Sequence, residues 1–579
     1  MSKTPNYDAK VKAILDATKP GERVCALTGQ KWNMTEEELR WCRFFSVPPS
    51  RIHPLVRLKM LFANNSGLSL WWNKHAETGK PLLSYVHPDS PIKVLPDKEW
   101  WEKMSNGEPG RALHLDTPFF PQMLELRNAT PVRALSDPGD SVNTIGMAAH
   151  KCVDGYMNLG VLGAERSDYI YGCTLVFDSV DVTSSFGGIT ECSSINRCRT
   201  CFNCHAALES YDCRDSWGLF DCRNCEFCFG ATNKRHQKYL WFNEQLTKEE
   251  WERRRASVDL SSWKIHEEYK KKIFELVGQA VWPERFNIAE TESTGEYLEK
   301  VTRVHACHNL QNSTDCLGLW LGTSMENCAY VTGSGMCSSV WYSSGCVSCE
   351  NIKYALGLTA CQGMEYSMGC NDCENCFGCV GLVRKKFHIL NKPYKEEAYW
   401  KTLDDLKCAM LERGEYGEKL SMEFHGISPQ FSAGAIFCDY TPEEIRLWGG
   451  TLFDPKRGTM YLPEGSQHKT PIVPADLPDK TSETPDTITV TPIQDPDLGR
   501  PYTVTARELA FYRRHHLPVP RHHFFNRLRS LIRLSNSPLT QETECSSCHK
   551  HITHNPNLTF SKKTILCHDC YLQYLEKNG

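Results

Sequence analysis

The hydrophobic pattern near the start of the chain predicts two helices followed by short strands. Thr35 and Glu38 have the spacing of a capping box, and the helix after them carries Leu39 on its apolar face. The Val47-Pro48-Pro49 run ends this helix, because proline disfavours helical backbone in the residue before it. A second helix is predicted over residues 54–63, and apolar mass around short strands comes from Trp71, Trp72, Trp100 and Trp101.

The same pattern returns near the end of the chain at a constant offset of 470 residues. Thr35 corresponds to Thr505, and Glu38 corresponds to Glu508, with no gap in between. Both ends of the chain are therefore predicted to carry homologous α+β modules. Residues 463–500, which precede the second module, are rich in Pro, Thr and Asp, which predicts an extended linker.

Cysteines dominate the middle of the chain at a regular spacing. Cys307, Cys328, Cys349 and Cys370 follow one another at intervals of 21 residues. A fixed period in this range is typical of coils stacked on copies of themselves, and each coil needs the next to bury its inner face. The pattern predicts a cysteine-lined parallel β-solenoid of about 21 residues per coil, as three sides of about seven residues.

This cysteine pattern occurs twice, at an offset of 148 residues. Cys198, Cys201, Cys213, Cys222, Cys225 and Cys228 align with Cys346, Cys349, Cys361, Cys370, Cys373 and Cys376. A charged helical segment follows each copy, at 247–280 and 395–413, and is expected to cap or flank the coils.

The predicted fold class is mainly β with α, a tandem solenoid between two related end modules. The predicted order is an N-terminal degenerate zinc-ribbon-like module (1–125), a first coil repeat (126–245), a helical segment (246–300), a second coil repeat (301–394), a helical or irregular segment (395–462), the linker (463–500) and a C-terminal zinc-ribbon module (501–579).

Composition narrows the class of protein. The chain has 579 residues, a net charge of −4 and 29 cysteines, so several domains are expected and no general attraction to nucleic acid or membranes is implied. No secretion signal and no apolar run of membrane-spanning length are visible. We expect a cytoplasmic protein with reduced thiols that bind metal or pack, with a disulfide-stapled chain as the alternative.

The sharpest chemical motif is a quartet of cysteines at the C-terminal end. Cys545, Cys548, Cys567 and Cys570 form two C-x2-C pairs with the spacing of a zinc ribbon. Four thiolates around Zn²⁺ make a closed structural site without a position for substrate. At the 470-residue offset the N-terminal module instead has His75, Thr78, Asp97 and Trp100, so we expect aromatic burial to replace the metal there.

Two further quartets in the middle of the chain have a similar spacing. They are Cys198, Cys201, Cys222 and Cys225, and their counterparts Cys346, Cys349, Cys370 and Cys373. In a 21-residue coil Cys201 would lie on Cys222, about 4.8 Å away, so that each quartet could close on Zn²⁺. The alternative is a buried ladder of small apolar thiols. The sequence leaves both interpretations open.

A basic segment at 507–533 is a candidate contact for a nucleic-acid backbone. It holds one acid, Glu508, against four histidines and seven arginines: Arg507, Arg513, Arg514, Arg521, Arg527, Arg529 and Arg533. The alternatives are a solvated basic face and a face that docks on an acidic surface of the same chain.

The chain resembles a family of large cysteine-rich, zinc-binding proteins common in bacteria of the candidate phyla radiation. The resemblance rests on MTEEELRWCRFFSVPPS at 34–50, VTARELAFYRRHHLPVPR at 504–521, TPFFPQMLEL at 117–126 and CENCFGCVGL at 373–382. The family pattern implies a second zinc site in each end module. Its positions here are Cys25, Thr28, His53 and Val56, and Asp495, Leu498, His523 and Asn526, so both sites are expected to be lost. Some relatives are labelled CoA-transferase-like, but no residue here supports that activity.

These observations favour a zinc-stabilised scaffold or binding protein without catalysis and with an unknown macromolecular partner. Nucleotide-binding loops of the GxxxxGK[ST] kind, GxSxG elbows and HExxH pairs are absent from the sequence. The alternatives are a nucleic-acid- or ribosome-associated factor that uses the basic segment and the zinc ribbon, and a redox enzyme that uses a low-pKa thiol.

Overall fold

The computed structural model describes residues 2–65, 67–107, 110–137, 139–335, 338–348, 350–360, 362–455, 457 and 470–579. The chain forms two compact units. Unit 1 comprises Met1–Ala134 and Phe286–Phe453, and unit 2 comprises Leu135–Arg285 and Asp454–Gly579. None of the described helices combines the length and the apolar character needed to cross a bilayer.

The fold mixes helices with many short strands. The helices are α1 (Pro5–Ala17), α2 (Glu36–Phe45), α3 (Pro54–Phe62), α4 (Asp97–Ser105), α5 (Phe119–Ala129), α6 (Lys248–Ala256), α7 (Trp263–Gln279), α8 (Glu396–Glu412), α9 (Pro442–Leu447), α10 (Ala506–Arg514), α11 (Phe524–Ile532) and α12 (His568–Asn578). The strands are β1 (Gly21–Val24), β2 (Lys31–Met34), β3 (Trp71–Lys74), β4 (Pro81–Ser84), β5 (Val94–Leu95), β6 (Val132–Arg133), β7 (Ile145–His150), β8 (Tyr156–Glu165), β9 (Asp168–Tyr171), β10 (Thr174–Phe177), β11 (Val180–Thr183), β12 (Phe186–Thr190), β13 (Ser193–Asn196), β14 (Phe202–His205), β15 (Arg214–Phe220), β16 (Phe229–Thr232), β17 (Leu240–Trp241), β18 (Glu244–Gln245), β19 (Val281–Pro283), β20 (Ile288–Thr291), β21 (Gly295–His305), β22 (Cys307–Gln311), β23 (Thr314–Leu317), β24 (Trp320–Thr323), β25 (Glu326–Gly335), β26 (Ser338–Ser344), β27 (Glu350–Lys353), β28 (Gln362–Glu365), β29 (Glu374–Phe377), β30 (Lys386–Ile389), β31 (Lys392–Pro393), β32 (Ile493–Gln494), β33 (Pro501–Tyr502), β34 (Gln541–Glu544), β35 (His551–His554) and β36 (Thr564–Leu566).

Each unit contains one long, mostly parallel sheet. Strands β7–β18 form the sheet of unit 2, and strands β20–β31 form the sheet of unit 1. Each sheet ends in one antiparallel pair, β17–β18 and β30–β31. The helices after the sheets begin as predicted, at Lys248 and Glu396. The sheet of unit 1 already begins at Ile288, inside the range 246–300 that the sequence pattern assigned to helix.

The predicted step of 21 residues is wrong, because strands that pair with each other are about twelve residues apart. Trp217 pairs with Phe229, and Cys316 pairs with Cys328. The step lengthens by one residue where β12 contains the pair Gly187-Gly188, since Thr174 pairs with Phe186 but Val176 pairs with Ile189. One layer of each sheet therefore takes about twelve residues of chain.

A three-residue period inside each layer explains the spacing of the cysteines. Cys198, Cys201 and Cys204 are buried at every third position. The residue before a buried position often has left-handed backbone, as in Thr200 (φ 48°) and Asn203 (φ 49°), which turns the chain at short intervals. Because 21 is a multiple of three, inward positions also match at that interval. The C-x2-C spacing in the sheets thus reflects the backbone period.

The buried thiols take part in a regular hydrogen-bond pattern that serine also satisfies. The Cys198 thiol donates to the carbonyl of Asn196 (3.4 Å), and the Ser185 hydroxyl donates to the carbonyl of Thr183 (3.0 Å). The N–H of Cys198 then donates to Ser185 Oγ (3.1 Å), one layer away. Both side chains are small, donate to a carbonyl two residues earlier and accept an N–H from the next layer. The interior thus needs small polar groups that can form these bonds.

The 470-residue offset relates matching elements of the two units. Helices α2 and α3 correspond to α10 and α11, and the Thr35 and Thr505 hydroxyls accept the N–H of Glu38 and Glu508 at their N-termini. Each helix pair carries a buried ion pair. In unit 1 it joins Arg57 to Glu38, and in unit 2 it joins Arg527 to Glu508 (3.0 Å).

The predicted linker is only partly described. Its residues 463–469 lie outside the described residues. The remainder carries short 3₁₀ turns at Pro474–Asp476, Thr481–Glu483 and Asp486–Val490.

Candidate metal centre

The C-terminal cysteine quartet of unit 2 is built by a β-hairpin and the start of a helix. Strands β34 and β35 pair in antiparallel fashion, and the turn between them holds Cys545 and Cys548. Strand β36 ends just before Cys567, which is the N-cap of α12, and Cys570 lies in the first turn of that helix. Parallel pairing of β36 with β19 fixes the second cysteine pair against the rest of unit 2.

The four sulfur atoms converge on one point. All of them lie within 4.8 Å of one another, and Cys548 Sγ is 3.7 Å from Cys567 Sγ. Sulfur atoms of a tetrahedral site with metal–sulfur bonds of about 2.3 Å are about 3.8 Å apart. Cys545 is buried, whereas Cys548 is exposed. This arrangement can hold a metal ion, and every ligand comes from the chain.

Backbone donors favour a thiolate at the centre of this quartet. Burial opposes ionisation of Cys545, but N–H groups of Cys548, Cys567 and Ser547 outweigh it and lower its pKa to about 6. The N–H of Cys567 lies 3.3 Å from Cys545 Sγ. The chain therefore stabilises negative charge at the position where a cation would bind.

No protein-family model and no curated protein matches this chain. The resemblance to the cysteine-rich bacterial family therefore stays a prediction.

Three other hairpins share the backbone geometry of the C-terminal one. Their first turn residues are Cys25, His75 and Asp495, in the positions that correspond to Cys545. In each hairpin this residue donates its N–H to the carbonyl five residues later and accepts, on its own carbonyl, the N–H four residues later. That fourth residue has left-handed backbone in each case: Gly29 (φ 69°), Gly79 (φ 71°), Gly499 (φ 63°) and His549 (φ 59°).

In each of these hairpins the residue that corresponds to Cys545 has a side-chain atom that accepts a backbone N–H. Cys25 Sγ accepts the N–H of His53 at 3.3 Å. Asp495 Oδ2 accepts the N–H of His523 at 2.7 Å. His75 Nδ1 accepts the N–H of Thr78 at 3.3 Å, while its Nε2 contacts Glu99. Direct hydrogen bonds thus hold these three turns, in which the first position is a cysteine at Cys25, a histidine at His75 and an aspartate at Asp495.

The hairpin at Asp495 brings together a second group of possible ligands. Asp495, Asp497 and His522 have ligand atoms within 4.8 Å of one another. The buried Asp495 carboxylate is already satisfied, because it accepts hydrogen bonds from the N–H groups of Asp497 and Leu498 and from Asn526. Hydrogen bonds from the chain itself therefore hold this group.

The first of the two cysteine quartets predicted in the sheets, whose four members are all described, does not form a metal site of this kind. Cys201 lies one layer from Cys213, since Phe202 pairs with Arg214, and two layers separate it from Cys225. Two layers correspond to about 9.6 Å, much more than the ligand spacing of a tetrahedral site. Cys222 lies two layers from Cys198, because Ser210 is one layer from Cys198 and accepts the N–H of Cys222 from the following layer. The expected contact between Cys201 and Cys222 is therefore wrong, and the four cysteines of this quartet are not grouped within 4.8 Å.

The equivalent quartet in unit 1 follows the same arrangement. Cys346 and Cys370 are both buried, with Leu358 at the intervening layer of the same core. Cys373 donates to the carbonyl of Asn371 at 3.2 Å, like the other thiols of the ladder. Cys349 lies outside the described residues, as does Cys361. The described members of this quartet pack in the interior of the sheet.

Burial protects the ladder thiols from ionisation and from solvent. It raises the pKa of Cys173 and of Cys307 to about 12. At Cys201, hydrogen bonds from Cys198, Cys204 and Cys213 lower the pKa, but this thiol is only 1% exposed. A thiol that reacts with substrates needs access as well as a low pKa.

Five arginines of the basic segment are already bound within unit 2. Arg507 pairs with Asp168, Arg513 with Asp486 (2.7 Å), Arg514 with Glu191 (3.7 Å), and Arg527 with Asp181 (3.1 Å) and Glu508 (3.0 Å). Arg521 donates to the carbonyls of Leu477 (3.2 Å) and Pro478 (3.4 Å). Arg529 and Arg533 line a cavity of unit 2.

Sequence reasoning missed this cavity. Docking of the basic segment on an acidic surface of the same chain was one of the predicted alternatives, and the ion pairs confirm it, but the sequence did not identify the acidic residues. Asp168, Asp181 and Glu191 belong to the first sheet or its turns, far from the arginines in the chain. A signal was nevertheless present, since several positions of that sheet carry Asp or Glu. The twelve-residue step has to be known before the sequence can show that these acidic positions face the basic helices.

Proposed function

We propose that this protein is a zinc-stabilised scaffold or binding protein, and that Cys545, Cys548, Cys567 and Cys570 hold a structural Zn²⁺. The observation that carries the proposal is the convergence of four thiols within 4.8 Å, with one pair 3.7 Å apart. Thiolates are the ligands that structural zinc sites use most, and four of them leave no open coordination position for a substrate. The metal would then contribute to folding rather than to chemistry.

The architecture that fits this role is a pair of parallel β-solenoids of about twelve residues per coil. Each would be flanked by helices and by ribbon-like hairpins, one of which keeps a complete zinc ribbon. The regular step between paired strands supports the solenoid, and the equivalent turns at Cys25, His75, Asp495 and Cys545 support the ribbon assignment. Resemblance to the cysteine-rich family of candidate phyla radiation bacteria points the same way.

A reducing, cytoplasmic environment suits such a protein. Thiols of the sheets such as Cys198 and Cys373 donate hydrogen bonds to backbone carbonyls, which requires the S–H form. We do not extend the proposal to nucleic-acid binding, because five of the seven candidate arginines are neutralised or bound within unit 2. Nor do we extend it to thiol redox catalysis, because the ladder thiols are shielded from solvent.

Metal analysis of the full chain tests this proposal. Protein purified without added zinc is expected to contain one zinc per chain by inductively coupled plasma mass spectrometry. Cys567→Ser should remove it, whereas the matched variant Cys198→Ser, in the sheet of the same unit, should retain it. A chain without zinc, or with a different metal in the same amount, would overturn the zinc assignment.

A further inference from the structure

Unit 2 contains a cavity of about 480 Å³. It lies between the first sheet, helix α7 and the segment that carries α10 and α11. Its apolar walls include Trp217, Trp263, Phe274, Leu531 and Phe560. A volume in this range is typical of sites that enclose small organic ligands.

The cationic side chains of the cavity outnumber the acids that could balance them. Arg521, Arg529 and Arg533 all line it. Arg529 forms no ion pair with any described residue, and burial together with the neighbouring Arg533 lowers its pKa. A guanidinium in such a place is under-solvated, so an anion that reached it would form a charge-assisted hydrogen bond.

The acids in the cavity wall are already engaged. Glu267 lies 3.4 Å from both His266 and Lys270, and Asp497 lies 3.6 Å from His522. The third acid of the wall, Asp181, lies 3.1 Å from Arg527. Arg521 is held by backbone carbonyls and lies over the ring of Trp263, with 5.1 Å between the guanidinium carbon and the ring centroid. Arg529 is therefore the cation that is best placed to recognise a ligand.

The aromatic wall also carries an unused donor. Trp217 is 4% exposed, and its indole N–H has no hydrogen-bond partner among the described residues. Its ring stacks on Phe229 at 4.8 Å and meets His266 edge-on at 6.0 Å, so it is held in place by its neighbours. A buried, unpaired N–H is unfavourable, and an acceptor on a ligand would relieve this.

We propose that this cavity binds a small organic anion with a flat apolar body. The anionic group pairs with Arg529, and the body packs among Trp217, Phe274 and Phe560. This site is separate from the cysteine quartet, and the proposal does not depend on which metal the quartet holds.

Two fluorescent probes of nearly equal shape test the proposal on the full chain. 8-Anilinonaphthalene-1-sulfonate is anionic and aromatic, and N-phenyl-1-naphthylamine is its uncharged analogue. Arg529→Gln is expected to weaken the anionic probe about tenfold or more, the effect of one hydrogen bond to a charged group, and to change the neutral probe less than about twofold. The matched control Arg513→Gln removes an arginine of the same segment that is outside the cavity wall, and it should leave both probes unaffected.

A second variant keeps the test independent of Arg529. Ser530 is exposed and lines the cavity, so Ser530→Trp should fold and fill part of it. It is expected to abolish one site per chain for both probes in fluorescence titrations. The proposal is overturned if Ser530→Trp leaves binding of both probes intact, if Arg529→Gln weakens both probes equally or neither, or if Arg513→Gln has the effect expected of Arg529→Gln.

Discussion

Replacing Cys198 by serine and by alanine separates a packing thiol from a metal ligand. Cys198 is completely buried and accepts the N–H of Ser210, which lies one layer further along the sheet. Its own N–H donates to Ser185 Oγ at 3.1 Å. Serine therefore already occupies the neighbouring layers on both sides of Cys198. A serine at 198 can keep the bond from Ser210, whereas an alanine cannot.

The expected difference follows from these contacts. Loss of the sulfur removes buried volume about equal to one methylene, worth about 0.8 kcal/mol. In Cys198→Ala the N–H of Ser210 is left buried without its acceptor, which costs about 1–3 kcal/mol more. We expect Cys198→Ala to lower the free energy of unfolding by about 2–4 kcal/mol, and Cys198→Ser by less than about 1.5 kcal/mol.

Urea unfolding followed by circular dichroism measures this difference as a shift of the transition midpoint at constant slope. Zinc content is determined on the same samples. If serine and alanine destabilise equally and each removes a metal ion, then Cys198 is a ligand and the packing interpretation of the ladder is wrong. A zinc content that stays the same in both variants, together with the predicted order of midpoints, supports it.

Three further predictions concern the metal, a buried ion pair and pH. Chelation of the metal, or Cys567→Ser, should make the segment from β34 to α12 sensitive to limited proteolysis while the sheets stay resistant; uniform resistance would contradict a structural role. Glu38→Gln should lower the free energy of unfolding of unit 1 by about 3–5 kcal/mol, because Arg57 would keep a buried charge without its partner. A decrease of less than about 1 kcal/mol in urea unfolding would refute this. Folding raises the thiol pKa of Cys173 and Cys307 to about 12, so above the ordinary value of about 9 the unfolded chain loses protons first. The contribution of each such thiol to the free energy of unfolding should be constant below about pH 9 and should fall by up to about 1.4 kcal/mol per pH unit between about pH 9 and 12. A urea midpoint that rises over this range would contradict the assignment.

The helix ends and the C-terminal quartet were predictable because their signals are local. At Thr35 the hydroxyl accepts the N–H of Glu38, which is one half of the predicted capping box, whereas the Glu38 carboxylate pairs with Arg57. The Cys545 quartet has two pairs at a fixed spacing. Each of these patterns specifies its own geometry without information from the rest of the chain.

The step of the sheets was not predictable from cysteine columns alone. Serine, valine, alanine and leucine occupy many inward positions as well, for example Ser210 between Cys198 and Cys222. The spacing of the cysteines therefore reveals the three-residue period but not the twelve-residue length of a layer. Left-handed backbone at residues such as Thr200 also has no strong sequence signal, since it depends on the turn that the stacked layers impose.

Stacking in layers of equal size makes the length of these sheets adjustable. Deletion of residues 210–221 would bring Cys222 to the position of Ser210, with an equivalent side chain facing the interior and an equivalent N–H facing Cys198. An in-frame duplication of the same stretch would add one layer without disturbing the antiparallel pair that ends the sheet. Such a sheet can therefore become longer or shorter by whole layers, and the register shift at Gly187-Gly188 shows that it also accommodates a single extra residue.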